Sequence, residues 1–192
     1  MHREAADALA SDDALAPLVA EHGPLAIEPA DDVFERLVVS IIRQQVSMDA
    51  AAAIRERVFE RFEVTPAAVL AADPDALRDA GLSAAKVEYV RAAAERFQQR
   101  EYDRESFADL STEAVLAELG EIRGIGPWTG KMFCLFCLGR PDVFPVEDLG
   151  VRKGMWQVAD SDMSRNDMVE RAEPWRPYRS YAALYLWRAT DG

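Results

Sequence analysis

The stretch EIRGIGPWTGK, residues 121–131, places three glycines, a proline and a tryptophan directly before the apolar run MFCLFCLG, residues 132–139. Glycine takes positive φ values or allows a close backbone approach. Proline suits the first turn of a helix, because the backbone N–H that it lacks would have no partner within the helix there. The stretch therefore predicts a helix that ends near Ile122, a hairpin with Gly124 and Gly126, and a second helix that begins at Pro127.

Such a hairpin has two interpretations. Backbone N–H groups at a helix N-terminus, with glycine beside them, form a binding site for a phosphate group. A plain glycine turn between two packed helices has the same spacing. The phosphate site needs no lysine, so an acidic protein can have one.

Helical patterns also dominate the rest of the chain, and no alternation of period two is long enough for a strand. Serine at an N-cap or proline at a first helical position marks several starts. The fold class is therefore all-α. The predicted helices are Ser47–Phe62, Thr65–Ala71, Asp73–Ala80, Ser83–Arg100, Thr112–Leu119 and the aromatic segment YRSYAALYLWRAT, residues 178–190. The clearest irregular segment is RPDVFPVEDLG, residues 140–150.

The composition limits the class of protein. A length of 192 residues, 49% of them hydrophobic, suits one large domain or two lobes around a shared core. No apolar run reaches the ~18 residues of a membrane span, and the N-terminus lacks the pattern of a signal peptide, so we expect a cytoplasmic protein without a membrane partner.

The charge is strongly acidic. The net charge is −12, and only three of the 22 basic residues are lysines. Such a charge opposes non-specific attraction to nucleic acid. It is also typical of proteins from halophilic organisms, where molar salt reduces the Debye length to about 3 Å and weakens repulsion from phosphate. An ordinary acidic enzyme is the alternative interpretation.

Cys134 and Cys137 form a single CxxC pair inside the apolar run. A zinc site needs two further ligands, and the two histidines, His2 and His22, lie far away in sequence. We therefore predict two buried thiols on one helix and no zinc.

Four ordered segments resemble the helix-hairpin-helix (HhH-GPD) DNA glycosylases, most closely the 3-methyladenine DNA glycosylase II branch. They are LVVSIIRQQVSMDAAAAI, residues 37–54, GLSAAKVEYVRAAAERF, residues 81–97, LGEIRGIGPWTGKMF with DVFPVEDLGVRKGMW, residues 119–156, and EPWRPYRSYAALYLW, residues 173–187. The resemblance covers residues 14–190. It implies an all-α, two-lobed fold with a cleft between a central lobe, about 33–139 with the hairpin at 120–130, and a second lobe, 1–32 with 140–192.

The resemblance also implies the catalytic group. The catalytic aspartate of the family lies some twenty residues beyond the hairpin, which corresponds to Asp148, with Glu147 as the reserve candidate. A helix N-cap is the structural alternative for Asp148, and both roles are compatible. Family members that cleave the strand carry a nucleophilic lysine where this chain has Trp128, and Lys131 lies three residues further on. The expected enzyme is therefore a monofunctional hydrolase that uses water.

The remaining expected site residues also follow from the resemblance. The base pocket has Trp128, Trp187, Met132 and Leu149, of which Met132 and Leu149 replace tyrosines of close relatives. The expected DNA contacts are Gln44, Gln45, Gly124, Ile125, Gly126 and Thr129, with Gln45 filling the gap left by the flipped base. A structural monovalent cation, held by the carbonyls of Gly120, Ile122 and Ile125, is the one expected ion, and no organic cofactor or iron–sulfur cluster is expected.

The function implied is excision of alkylated purines, such as 3-methyladenine and 7-methylguanine, from duplex DNA by base flipping and hydrolysis of the N-glycosidic bond. The expected protein is a prokaryotic monomer, and its partner is damaged double-stranded DNA. Two alternatives remain open at this stage, namely a glycosylase for a deaminated or oxidised base and a helix-hairpin-helix module that binds DNA without catalysis.

The position of Lys131 gives a first prediction. Without a lysine at position 128 no Schiff base forms, so the product is an intact abasic strand and borohydride traps no covalent complex. The measurement is a borohydride trapping assay on lesion-containing duplex DNA, resolved by denaturing electrophoresis. A trapped adduct that disappears in Lys131→Ala would contradict the monofunctional assignment.

Overall fold

The described residues, 1–159 and 161–190 of a computed structural model, form helices and connecting turns, and none of them lies in a β-strand. This confirms the all-α prediction. Asp160 and the last two residues of the expected second lobe lie outside the described residues. The α-helices are α1 His2–Leu9, α2 Ala16–His22, α3 Val33–Arg43, α4 Met48–Arg61, α5 Pro66–Ala71, α6 Pro74–Asp79, α7 Ala84–Arg100, α8 Thr112–Gly120, α9 Pro127–Phe136, α10 Leu149–Ala159, α11 Arg165–Arg171 and α12 Arg179–Ala189.

The starts of several helices coincide with the predicted capping residues. At α4 the Ser47 hydroxyl accepts the N–H of Ala50 at 3.2 Å, which satisfies one of the donors that a helix start leaves without a partner. Pro66 and Pro74 occupy first-turn positions of α5 and α6. The predicted bounds of these helices, and of α7, α8 and α12, are confirmed to within two residues.

The chain divides into two compact units. The hairpin unit is Ala30–Phe133, and the terminal unit is Met1–Pro29 together with the described residues of Cys134–Gly192. The lobe boundaries that the resemblance implies, 33–139 and 1–32 with 140–192, stay a prediction.

In the hairpin unit, α7 packs against both α3 and α5. An aromatic cluster fills its interior, where the rings of Phe107 and Phe133 meet edge to face with centroids 5.2 Å apart and Phe97 packs against Phe133. Such arrangements of buried rings favour one packing over its alternatives. This core joins α3, α7 and α9. The candidate residues Trp128 and Met132 lie on α9, and Gln44 and Gln45 directly follow α3.

In the terminal unit, α10 and α12 lie side by side, and small residues set their separation. A β-carbon at Gly154 of α10 would lie only 2.2 Å from the backbone oxygen of Leu186 in α12. The helices therefore approach until backbone meets backbone. The apolar side chains around them are fully buried, and they include Leu9, Leu15, Leu135, Met155, Tyr181 and Leu186.

Arginine side chains hold several helix ends. Arg91 donates to three carbonyls at the C-terminal end of α5, each at 3.2 Å, and Arg57 donates to Ala80 at the end of α6. In the terminal unit, Arg171 makes two 2.7 Å hydrogen bonds to Asp12. Burial raises the pKa of Asp12, but the hydrogen bonds from Arg171 and Trp175 outweigh it, so this pKa lies below its ordinary value.

No helix among the described residues has the length and apolar character needed to cross a membrane. The thiols of Cys134 and Cys137 are both buried and form no disulfide, and their burial confirms that they belong to the core. The residues that the structure describes contain no cluster of three or more histidines, cysteines or carboxylates that could hold a metal ion.

The contact at Gly154 gives the second prediction. Gly154→Ala places a β-carbon against the Leu186 backbone, which cannot yield without moving a helix, so we expect a loss of about 1–3 kcal/mol in the free energy of unfolding. Gly120→Ala is the matched control, because its β-carbon would meet no atom of the described part of the chain within 4 Å. Urea denaturation of both variants measures the difference. Equal midpoints for the two would contradict the close approach of α10 and α12.

Candidate active site

Asp148 stands directly before α10 and caps it. Its Oδ1 atom accepts the backbone N–H of Val151 at 3.1 Å, and its backbone oxygen accepts the N–H of Arg152. The carboxylate therefore lies at a helix N-terminus, where the helix dipole stabilises negative charge. The N-cap interpretation of Asp148 is confirmed, and it is compatible with a catalytic role.

The segment before Asp148 is anchored by its apolar residues. Val143, Phe144 and Val146 are buried in the terminal unit, and the N–H of Asp148 closes a turn onto Pro145 at 2.9 Å. The chain thus leaves the core immediately before the acidic pair. Asp148 itself is half-buried.

Trp187 of α12 approaches the same carboxylate. Its indole Nε1–H donates to Asp148 Oδ1 at 2.8 Å, and one face of its half-buried ring stacks on Phe136 with centroids 5.8 Å apart. The sequence singled out Asp148 and Trp187 separately, but no pattern in it predicts this hydrogen bond. Leu149, expected in the pocket, follows Asp148 with 52% of its surface exposed.

The predicted hairpin lies between α8 and α9. Gly124 has φ 87°, and a β-carbon there would meet the ring of Tyr89 at 2.1 Å. Gly126 differs, because its φ is not positive and a β-carbon there would meet no atom of residues 1–159 and 161–190 within 4 Å. Packing inside the protein explains glycine at position 124 and leaves the surface at position 126 open to a partner. Ile122 and Ile125 are buried beneath the turn.

The end of α3 is fixed to this hairpin by Gln44. Its side-chain Nε2 donates to the Gly124 carbonyl and to the Thr129 hydroxyl, both at 2.9 Å. Thr129 is only 2% exposed, so it serves the protein interior. Gln44 and Thr129, both expected to contact DNA, hold the hairpin against α3 in this structure.

Gln45, the next residue, is exposed and has a positive φ of 56°. Residues other than glycine rarely adopt this backbone conformation, which costs about 1 kcal/mol or more. Its side chain makes no hydrogen bond within the described part of the chain. A strained and exposed residue of this kind marks a candidate contact with a partner.

Lys86 supports the end of α3, just before Gln44 and Gln45, and no sequence pattern predicted this role. This side chain is 8% exposed, and its ammonium donates to the Ile42 carbonyl at 2.6 Å, near the C-terminal end of α3. Burial lowers the pKa of Lys86. A cation at a helix C-terminus satisfies carbonyls that have no partner in the helix.

The other expected pocket residues lie on α9. Trp128 and Lys131 are half-buried, and Met132 is buried with 4% exposure. The structure therefore assembles two local groups. Asp148, Leu149 and Trp187 belong to the terminal unit, whereas Gln44, Gln45, the hairpin, Trp128 and Met132 belong to the hairpin unit.

Comparison with known proteins gives consistent matches. The family model described as HhH-GPD superfamily base excision DNA repair protein matches residues 38–177. DNA-3-methyladenine glycosylase 1 of Schizosaccharomyces pombe is 30% identical over 187 residues, which cover 92% of this chain and 80% of that protein. Two Bacillus subtilis relatives, the second a DNA-3-methyladenine glycosylase, are 28% and 27% identical, and the chain spans 66% and 57% of their lengths.

A solved structure matches over nearly the whole chain. It is the Schizosaccharomyces pombe 3-methyladenine DNA glycosylase (Mag1) in complex with abasic DNA, with a TM-score of 0.91 and 28% sequence identity. The match covers 98% of this chain and 97% of that one.

The two neighbouring glutamines give the third prediction. Gln44→Ala leaves the Gly124 carbonyl and the Thr129 hydroxyl without their donor, so we expect a loss of about 1–3 kcal/mol in the free energy of unfolding. Gln45→Gly relieves the positive φ and should stabilise the protein by up to about 1 kcal/mol. Thermal and urea denaturation measure both. Changes of the same sign in the two variants would contradict these assignments.

Proposed function

Because this chain belongs to the HhH-GPD superfamily of base excision DNA repair proteins, we propose that it is a monofunctional DNA glycosylase that removes alkylated purines from duplex DNA. The names of its relatives support the class of lesion. The observation that carries the proposal is the geometry of Asp148, whose carboxylate stands at a helix N-terminus and accepts two N–H donors.

The proposed chemistry needs a fixed carboxylate. When the N-glycosidic bond breaks, positive charge develops on the sugar, and a carboxylate held beside the sugar stabilises this charge. The same group can orient the attacking water or accept its proton. The Val151 and Trp187 donors both hold Oδ1, so Asp148 does not need to reorganise during the reaction.

Alkylated purines are suitable substrates for a site with one catalytic carboxylate. A purine methylated at N3 or N7 already carries positive charge and leaves the sugar without strong acid catalysis. Aromatic rings attract such a cation through a cation–π contact worth about 0.5–2 kcal/mol. Trp128 and Trp187 are the proposed aromatic contacts. Met132 and Leu149 in place of tyrosines make the proposed pocket less aromatic.

Water is the proposed nucleophile. Trp128 occupies the position at which lyases of the family carry their lysine, and an indole cannot form a Schiff base. Lys131 lies almost one helical turn further along α9 and is half-buried. The proposed products are the free base and an intact abasic strand.

The proposed contact with DNA uses backbone more than charge. At Gly126 no atom of the residues that the structure describes occupies the space a β-carbon would take, so a phosphate can approach the start of α9 closely. Gln45 is the proposed residue that fills the gap left by the flipped nucleotide, where its amide can bond to the orphan base. This arrangement is compatible with a net charge of −12.

We also propose that the hairpin binds a monovalent cation through the carbonyls of Gly120, Ile122 and Ile125. The end of α8 leaves carbonyl oxygens without helical partners, and such oxygens suit a hard cation. The Ile122 carbonyl already accepts the Ile125 N–H at 3.0 Å, but a carbonyl has a second lone pair. The bound ion would hold the hairpin's shape and neutralise part of a nearby phosphate's charge.

The proposed partner is damaged double-stranded DNA, which the protein engages as a monomer in the compartment that holds the chromosome. A prokaryotic and halophilic origin is the proposal that the acidic, lysine-poor composition supports. The salt dependence of excision, measured from 0.1 to 2 M KCl, tests this point, and maximal activity at low salt would contradict it.

The fourth prediction tests the proposed function. Asp148→Asn keeps an oxygen acceptor for Val151 and Trp187 but removes the negative charge, so folding and binding to abasic DNA persist while excision slows by about 10²–10³-fold. Glu147→Gln is the matched control and should have a much smaller effect. The measurement is single-turnover release of 3-methyladenine and 7-methylguanine from methylated duplexes.

Two outcomes would overturn these assignments. Reversed effects of the two variants would identify Glu147 as the catalytic group. Release of hypoxanthine, uracil or 8-oxoguanine by the wild-type protein, without release of methylated purines, would identify another lesion as the substrate.

A further inference from the structure

The Trp187–Asp148 hydrogen bond depends on the space that a glycine leaves beside it. Gly150 lies in the first turn of α10, and a β-carbon there would lie 2.7 Å from Trp187 Cδ1 and 3.0 Å from its Nε1. The same carbon would lie 3.1 Å from Asp148 Oδ1. Any residue other than glycine at this position would therefore collide with the indole at its contact with the carboxylate.

The backbone gives no other reason for glycine at this position. Gly150 lies within α10 and its φ is not positive, so the conformation is available to every residue. Glycine in a helix costs about 1 kcal/mol relative to alanine. The space taken by the Trp187 ring is therefore the structural reason for Gly150.

Gly154, four residues later, also leaves space for a residue of α12, namely Leu186, which precedes Trp187. Its missing β-carbon makes room for the Leu186 backbone, and the missing β-carbon of Gly150 makes room for the Trp187 side chain. Residues four apart lie on one face of a helix. This face of α10 therefore sets both the separation of the helices and the position of the indole.

We propose that Gly150 is a positioning residue for catalysis, which seats the Trp187 indole so that its N–H fixes the Asp148 carboxylate. Trp187 then acts through Asp148 on every substrate, in addition to any contact with the base. The proposal rests on the proposed glycosylase function. It differs from a pure stacking role for Trp187, which affects cationic lesions more than neutral ones.

The test is a double-mutant cycle of Gly150→Ala and Trp187→Phe. Each single variant should lower the single-turnover excision rate by about 10²-fold, because a misplaced catalytic group loses about that factor. Excision of both 3-methyladenine and hypoxanthine should slow, while affinity for abasic duplex DNA changes less than about threefold. The double variant should be no slower than Trp187→Phe, since both changes remove one interaction.

Trp156→Phe is the matched control. Its indole Nε1–H also makes a hydrogen bond from a half-buried ring of the terminal unit, to the Met163 carbonyl at 3.1 Å, away from Asp148. This variant should excise both lesions at the wild-type rate. Additive losses in the cycle, or a loss in Trp187→Phe confined to the cationic lesion, would overturn the positioning role.

A spectroscopic measurement keeps the proposal testable if a variant folds poorly or if the protein removes other bases. The ¹⁵N–¹H indole resonance of Trp187, assigned by its absence in Trp187→Phe, should shift in both Asp148→Asn and Gly150→Ala. The Trp156 and Trp175 resonances should stay in place. An unshifted Trp187 resonance in Asp148→Asn would overturn the proposal, whatever base the protein releases.

Discussion

The close approach of α10 and α12 is the constraint on which the candidate active site depends. The two helices are in backbone contact at Gly154. This contact brings Asp148, at the start of α10, within hydrogen-bond distance of Trp187, near the end of α12. Asp148 then receives one donor from its own helix and one from the neighbouring helix. A carboxylate held from two elements keeps its position, which is the condition for electrostatic stabilisation without reorganisation.

Several arginine side chains of this acidic protein make hydrogen bonds within the fold. A planar guanidinium can satisfy several carbonyls or a carboxylate at once, as Arg91 does at the end of α5 and Arg171 does with Asp12, whereas lysine offers a point charge. Many basic groups thus serve the fold. Under the proposed function, a protein whose arginines serve the fold binds phosphate by other means, and the open backbone at Gly126 is the proposed one.

The sequence predicted the elements that have local signals. Caps and first-turn prolines located α4 to α8, and the glycine pattern located the hairpin and the start of α9. The helices α1, α2, α3, α10 and α11 received no bounds, although Asp32 caps α3 and Ser164 caps α11. Aspartate and serine also favour turns, so such a residue alone does not predict a helix. Within the site, Asp148 and Trp187 were found separately. Their hydrogen bond depends on how α10 and α12 pack, which spacing along the chain does not encode.

Lys86 and Gln44 also make tertiary contacts that the sequence does not encode, and these contacts explain the strain at Gln45. A lysine within a helical pattern is usually solvated, and only the fold buries this one against the Ile42 carbonyl. Gln44 looked like a surface residue for DNA, yet it ties α3 to the hairpin. With the chain held at Ile42 and Gln44, the following residue has little freedom, so a positive φ at Gln45 persists against its intrinsic preference. The backbone at Gln45 is thereby preorganised, and under the proposed function a preorganised backbone loses less conformational entropy when the residue enters a DNA duplex.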